Sequence, residues 1–254
     1  MISEITVESL MSLMDAGNGR SDLDRGQLLL AWGYREESWK TLSSLPLGAR
    51  ARRLLELRRA FFGDQLTLSA RCPNCGAPFE FATNIGEILA ADLQEKEPTS
   101  QIAVGTAILE VRPLNAHDLT LLPSSITAEA ARKFLASRCL VTVFDEDGRE
   151  INMPEMQSLQ SDWVDAVDNL LQEQDPLSAL IYCLDCLDCH KAWRAQFDIT
   201  DLLWQELEVE NAIVIEEIHL LAAHYGWREA DIVAIPPVRR RSYAQHLRER
   251  TQNG

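Results

Sequence analysis

Positive charge is scarce in this sequence. Its 254 residues carry 24 Lys and Arg against 39 Asp and Glu, a formal net charge of -15. A chain this acidic is repelled by phosphate backbones, which argues against nucleic acid as a partner. The same charge keeps copies apart and suits transient handling of adhesive partners. Long apolar runs are missing too, and nothing approaches a membrane span. Met1-Ile2-Ser3-Glu4-Ile5 lacks the basic and apolar regions of a signal peptide. The expectation is a soluble cytoplasmic protein with no membrane partner.

Catalytic signatures are also lacking. There is no His-Glu-x-x-His, no phosphate-cradling P-loop, no Gly-x-Ser-x-Gly and no dinucleotide fingerprint. The His-x-Glu of zinc deaminases is absent, and Cys72 precedes its proline rather than following it. His117, His219, His224 and His246 are scattered; His219 and His224 fall on different faces of a helix and read as core or surface residues. Low-complexity segments are absent, and 46% hydrophobic residues suffice for a real core.

What is present is a pair of cysteine knuckles far apart in sequence. Arg71-Cys72-Pro73-Asn74-Cys75-Gly76-Ala77-Pro78-Phe79, shifted by 114 positions, lands on Asp185-Cys186-Leu187-Asp188-Cys189-His190-Lys191-Ala192-Trp193. Beyond the knuckles, Ile85 falls on Ile199, Ile88 on Leu202 and Leu89 on Leu203. A tight turn points the two sulfurs of a CxxC inward, and two such turns complete a four-sulfur zinc site. The aromatic four residues after each second cysteine would start a returning strand and cover the metal. The spacing predicts a structural zinc ribbon, split by a large insertion, with ligands Cys72, Cys75, Cys186 and Cys189. Cys183 and His190 are alternate ligands, because Cys183, Cys186 and Cys189 form two overlapping CxxC pairs. The plainer reading is reduced cysteines without metal. Disulfides do not suit a long chain of this kind. A thioredoxin-like role is disfavoured because neither CxxC opens a helix after a buried strand. Cys139 reads as a core thiol.

Hydrophobic spacing predicts a mostly α protein with a small β component. Helices are expected over 5–15, over 22–32 with Asp22 or Asp24 as cap and Leu28, Leu29 and Leu30 buried, and over 49–62. The last carries Arg50, Arg52, Arg53, Arg58 and Arg59 on its polar side, the one basic patch on an acidic chain, or else a solvated face paired with local carboxylates. Hairpin strands flank both knuckles. Residues 85–93 read as helix, 95–100 as a polar break, 101–112 as a strand pair, 127–140 as helix, 145–149 as a hairpin tip and 154–173 as a long helix. A helix through Ile218 and Leu221 ends at Tyr225-Gly226-Trp227; a short helix and, after Pro236-Pro237, a final one follow. The segmentation is 1–70 helical, 71–200 split ribbon with insertion, and 201–254 helical, together forming one compact domain.

The order of motifs carries a resemblance. Leu54-Leu55-Glu56-Leu57-Arg58 leads into Phe62-Gly63-Asp64 and the first knuckle, then Arg112-Pro113-Leu114 and Asp118-Leu119. The second knuckle leads to Phe197-Asp198-Ile199 and Trp204. The end is Glu217-Ile218-His219-Leu220-Leu221-Ala222, Tyr225-Gly226-Trp227, Ile232, Pro236, Arg239-Arg240-Arg241 and Tyr243. From about residue 24 to 247 this resembles the baseplate hub assembly chaperone family of T-even-type tailed phages. Relatives of that family occur in bacterial gene clusters for phage-tail-like contractile injection systems. Leu187 stands where a usual Cys-Pro-x-Cys has proline, and Cys183 is extra, which leaves the last ligands open.

The resemblance implies a non-enzymatic, chaperone-like role in a bacterial host cell, building the baseplate or hub of a contractile tail. The alternative is a stable structural component of the mature particle. A zinc-dependent hydrolase is disfavoured, since four cysteines close the site to water. The expected partners are baseplate and hub proteins or a second copy of this chain. Trp227, Arg239, Arg240, Arg241 and Tyr243 are the expected contacts, because aromatics and arginines dominate interface hot spots. Trp227 has a second reading as core packing under Gly226.

Overall fold

The computed structural model describes residues 2, 6–91, 100–152 and 158–252, with backbone alone at residues 91, 251 and 252. More than half of these residues are helical, and a small β component is present. Two compact units divide the chain: Met1–Arg35 with Thr200–Gly254, and Glu36–Ile199. The expected segmentation put breaks at 70/71 and 200/201. The first of these falls inside the second unit, because the helix before the first knuckle packs with the later residues described below.

In the first unit, α1 (Val7–Gly17) opens on a reciprocal cap between Thr6 and Ser9 and buries Leu10, Leu13 and Met14. α2 (Asp22–Gly33) is capped by Ser21, whose hydroxyl accepts from the Asp24 N–H at 3.3 Å. The expected caps Asp22 and Asp24 instead occupy the first turn, where their charge complements the helix dipole. Leu29 and Leu30 are buried, whereas Leu28 is only half-buried.

In the second unit come α3 (Trp39–Ser43) and α4 (Leu47–Phe62). α4 starts two residues earlier than the spacing predicts, and its N-cap Pro46 offers no side-chain hydrogen bond. Asp175 supplies the cap from 127 residues away: the Gly48 N–H donates to its Oδ2 at 2.9 Å. The first hairpin, β1 (Gln65–Arg71) and β2 (Pro78–Asn84), runs into α5 (Ile85–Ala91). β1 alternates as predicted, with Leu66 and Leu68 buried.

The insertion builds its own small α/β layer. β3 (Ser100–Val104) and β4 (Ala107–Val111) pair around Gly105. Next come α6 (Ala116–Thr120), α7 (Ala128–Cys139), β5 (Leu140–Phe144) and β6 (Glu150–Ile151). The sheet runs β3-β4-β5-β6, all antiparallel. Leu109, Val111, Cys139 and Val143 form its core with α8 (Ser161–Gln174) through Val164 and Val167. The predicted start of this helix, Pro154, lies outside the described residues, as do 153–157 as a whole; α8 starts at Ser161, and Leu159 is buried ahead of it. Most of the polar break at 95–100 also lies outside them.

A 3-10 turn, Pro176–Ser178, leads to the second hairpin, β7 (Leu180–Asp185) with β8 (Ala192–Phe197). The chain then returns to the first unit through α9 (Ile199–Tyr225), α10 (Glu229–Val233) and α11 (Pro237–Gln252). α9 is one continuous helix. It buries Leu203, Trp204, Leu207, Val214 and Leu221, and also Glu217 on the same face.

Candidate metal centre and partner surface

The two knuckles fold by the same local rules. The Cys72 N–H donates to the Ala77 carbonyl at 2.9 Å, and the Cys186 N–H to that of Lys191 at 3.1 Å. The Gly76 N–H donates to the Cys72 carbonyl at 2.8 Å, and the His190 N–H to that of Cys186 at 2.9 Å. Each turn requires a left-handed residue after the second cysteine. Gly76 has φ 76° and His190 has φ 56°, the one positive φ outside glycine among the described residues. His190 thus serves the turn through its backbone, and its side chain is exposed.

Cys72, Cys75, Cys186 and Cys189 come together, with all four Sγ atoms within 4.8 Å of one another. Cys72 Sγ lies 3.7 Å from Cys189 Sγ, and Cys75 Sγ 3.6 Å from Cys186 Sγ. These separations are too long for disulfides, which need about 2.0 Å. They match the edge of about 3.8 Å that a tetrahedron of sulfurs has around a metal at about 2.3 Å. The cluster can hold a metal ion. Cys183 sits in β7 opposite Arg194 and, like His190, is outside the cluster.

Before any metal binds, Cys189 and Cys75 are shifted in opposite directions. Cys189 is lowered to about 6, chiefly by the Lys191 backbone N–H, helped by Asn74 and the neighbouring thiols against desolvation. Cys75 is also held down by a backbone N–H, that of Ala77, but the thiols of Cys186, Cys189 and Cys72 and desolvation outweigh it and push it up to about 12. A cation that gathers four thiolates must therefore displace protons.

Aromatic rings and polar contacts lock the hairpins together, among them Thr83 Oγ1 with the Tyr182 hydroxyl at 3.3 Å. Phe79 meets Trp193 edge-on at 5.6 Å, and Phe81 lies 5.0 Å from Tyr182 and 6.0 Å from Phe197. Lys191 Nζ donates to Asn74 Oδ1 at 2.8 Å across the knuckles. The 114-residue shift points to Phe79 with Trp193. It gives no hint of Tyr182 or the Asn74–Lys191 bridge, which join positions that do not correspond.

The expected partner surface is only partly available. Trp227 stacks on Tyr225 at 4.7 Å, and Tyr243 closes on Trp227 edge-on at 5.7 Å. Tyr225, Trp227 and Tyr243 are 41, 36 and 37% exposed, so Trp227 is a surface residue rather than core beneath Gly226. Sequence reading missed Tyr225 as a member of this trio, although its place in Tyr-Gly-Trp was the signal.

Arg240 must be withdrawn from the surface. It is 1% exposed, and its Nε donates to Glu217 Oε2 at 2.7 Å. Arg241 pairs with Glu210, and Arg248 with Glu216 at 3.1 Å. The arginines of α11 are thus largely consumed by the glutamates of α9, a match that neither segment shows alone. Arg239 is exposed and makes no ion pair among the described residues. The basic face expected on α4 dissolves in the same way. Arg50 and Arg58 are buried, Arg58 donates to the Gly63 carbonyl at 2.8 Å, and Arg59 pairs with Asp64 at 2.8 Å.

Among the described residues, no helix is long and apolar enough to cross a membrane. Comparison with protein-family models, with curated proteins and with solved structures gives no match to this chain.

Proposed function

We propose that this chain is a zinc-stapled, non-enzymatic assembly factor for the baseplate or hub of a contractile phage tail or phage-tail-like injection system. The observation that carries the reading is the closed sulfur cluster joining hairpins 114 residues apart. Four thiolates fill a tetrahedral zinc and leave no position for water, so such a metal acts as a staple. In this reading the two hairpins are the halves of a split zinc ribbon. The resemblance through the Tyr-Gly-Trp and arginine block supports the tail assignment. The exposed ring trio, with exposed Arg239 four residues before Tyr243 on α11, supports a role in holding a protein partner.

Two measurements test it. Metal analysis of freshly purified protein is expected to give about one zinc per chain; less than about half an equivalent would reject the staple. Co-purification from cells expressing the whole tail gene cluster, with and without the hub genes, is expected to recover hub subunits only when they are present. Finding the chain at stoichiometric copy number in mature particles would replace the helper role with that of a stable baseplate component.

A further inference from the structure

The first unit carries an open groove of about 910 Å³ between α1 and the segment from α10 to the start of α11. Met11 forms one apolar wall, and Val233 and Ile235 the other. Pro236 and Pro237 stiffen the far end, since proline fixes its own backbone angle. Glu8, Asp15 and Glu229 stand on the rim. Among the described residues, no basic side chain lines the groove and none of the three carboxylates makes an ion pair. The lining hydroxyls are already used: Thr6 Oγ1 accepts from the Ser9 N–H at the cap of α1, and Ser12 Oγ donates to the Glu8 carbonyl at 2.9 Å.

We infer that this groove is a docking site for a basic amphipathic helix of a partner protein. Apolar walls with a charged edge are what a helix lying in a groove requires. The volume accommodates about two turns of a helix roughly 10–12 Å across. Methionine in the wall adapts its shape to different apolar side chains. Charge selects the occupant. Lysines or arginines along the edge of the incoming helix would meet unpaired carboxylates, whereas anionic lipid or nucleic acid would be repelled. A second copy is disfavoured, because the chain has a net charge of -15 and most arginines of its own basic helix are engaged with α9. The inference rests on this groove alone and stands or falls independently of the tail reading.

The test uses the full chain and a fluorescently labelled Leu/Lys model amphipathic helix, followed by anisotropy. The parent is expected to bind the peptide, and the pair Glu8→Lys with Glu229→Lys to weaken binding by about tenfold or more at low salt. Glu146→Lys with Glu150→Lys makes the same charge change in the other unit and is expected to weaken it less than about twofold. Met11→Ser is expected to weaken it by about threefold or more, through loss of apolar wall. Should charge reversal unfold the chain, Glu8→Gln with Glu229→Gln is expected to keep the same order with smaller losses. Equal loss in both Lys pairs would mean diffuse attraction and overturn the proposal, as would absence of peptide binding by the parent. A parent dimer that the groove variant splits into monomers would also overturn it, making a second copy the occupant.

Discussion

Arg240 shows how far a single side chain can depart from its expected place. A run of three arginines reads as surface, yet the middle one lies on the buried side of α11 and is held by Glu217. Removing one partner of a buried pair strands the other charge, so Arg240→Leu is expected to cost about 3–5 kcal/mol in denaturant unfolding. Arg240→Leu combined with Glu217→Leu should recover most of that loss. Arg239→Glu, at an exposed position, should leave the melting temperature within a degree or two of the parent. Asp118 is a second case. It is fully buried, accepts two hydrogen bonds from Arg112 at 2.8 and 2.9 Å and one from Arg138 at 3.2 Å. Desolvation raises its pKa, but these guanidinium groups and the Asn115 N–H outweigh it and hold the carboxyl below its ordinary value. A depressed folded-state pKa stabilises the fold above the unfolded value of about 3.9, and that contribution fades as pH falls further. Urea midpoints of the parent should therefore drop more steeply below about pH 4 than those of Asp118→Asn.

Among the elements, the hairpins were the most readable. Leu66 and Leu68 alternate, the cysteines recur at the same spacing, and the two knuckles align by a simple shift. The longer helices were readable from apolar spacing, whereas the five-residue α3 was not expected and helix ends were not always readable. α4 takes its cap from Asp175, and no local pattern announces a carboxylate that arrives from the far side of the insertion. A Cβ added to Gly48 would lie 1.8 Å from Asp175 Oδ1. Gly48→Ala should therefore destabilise by about 1–3 kcal/mol, despite the better helix propensity of alanine, because it clashes and displaces the cap. Thermal melts giving a Gly48→Ala chain as stable as the parent would contradict this role for Asp175.

For the molecule as a whole, the four sulfur positions were readable because the residues around them recur in order. The Arg–Glu pairing between α9 and α11 was not, because each partner looks solvated until the helices are brought together. If the cluster holds zinc, Cys72→Ser should lose the metal along with several kcal/mol, whereas Cys183→Ser should retain about one equivalent. Equal zinc loss on both changes would move the fourth ligand to Cys183. The distance between the knuckles also has a consequence in time. A ribosome adding about 5–20 residues per second needs roughly 6–23 s to pass from Cys72 to Cys186. Throughout that interval the first knuckle waits with two thiols and no partner, while the insertion that will separate the halves is still being made. Closure is then a late event that depends on the distal hairpin, and nascent chains stalled before Cys186 should be alkylated at Cys72 and Cys75 far faster than released chains.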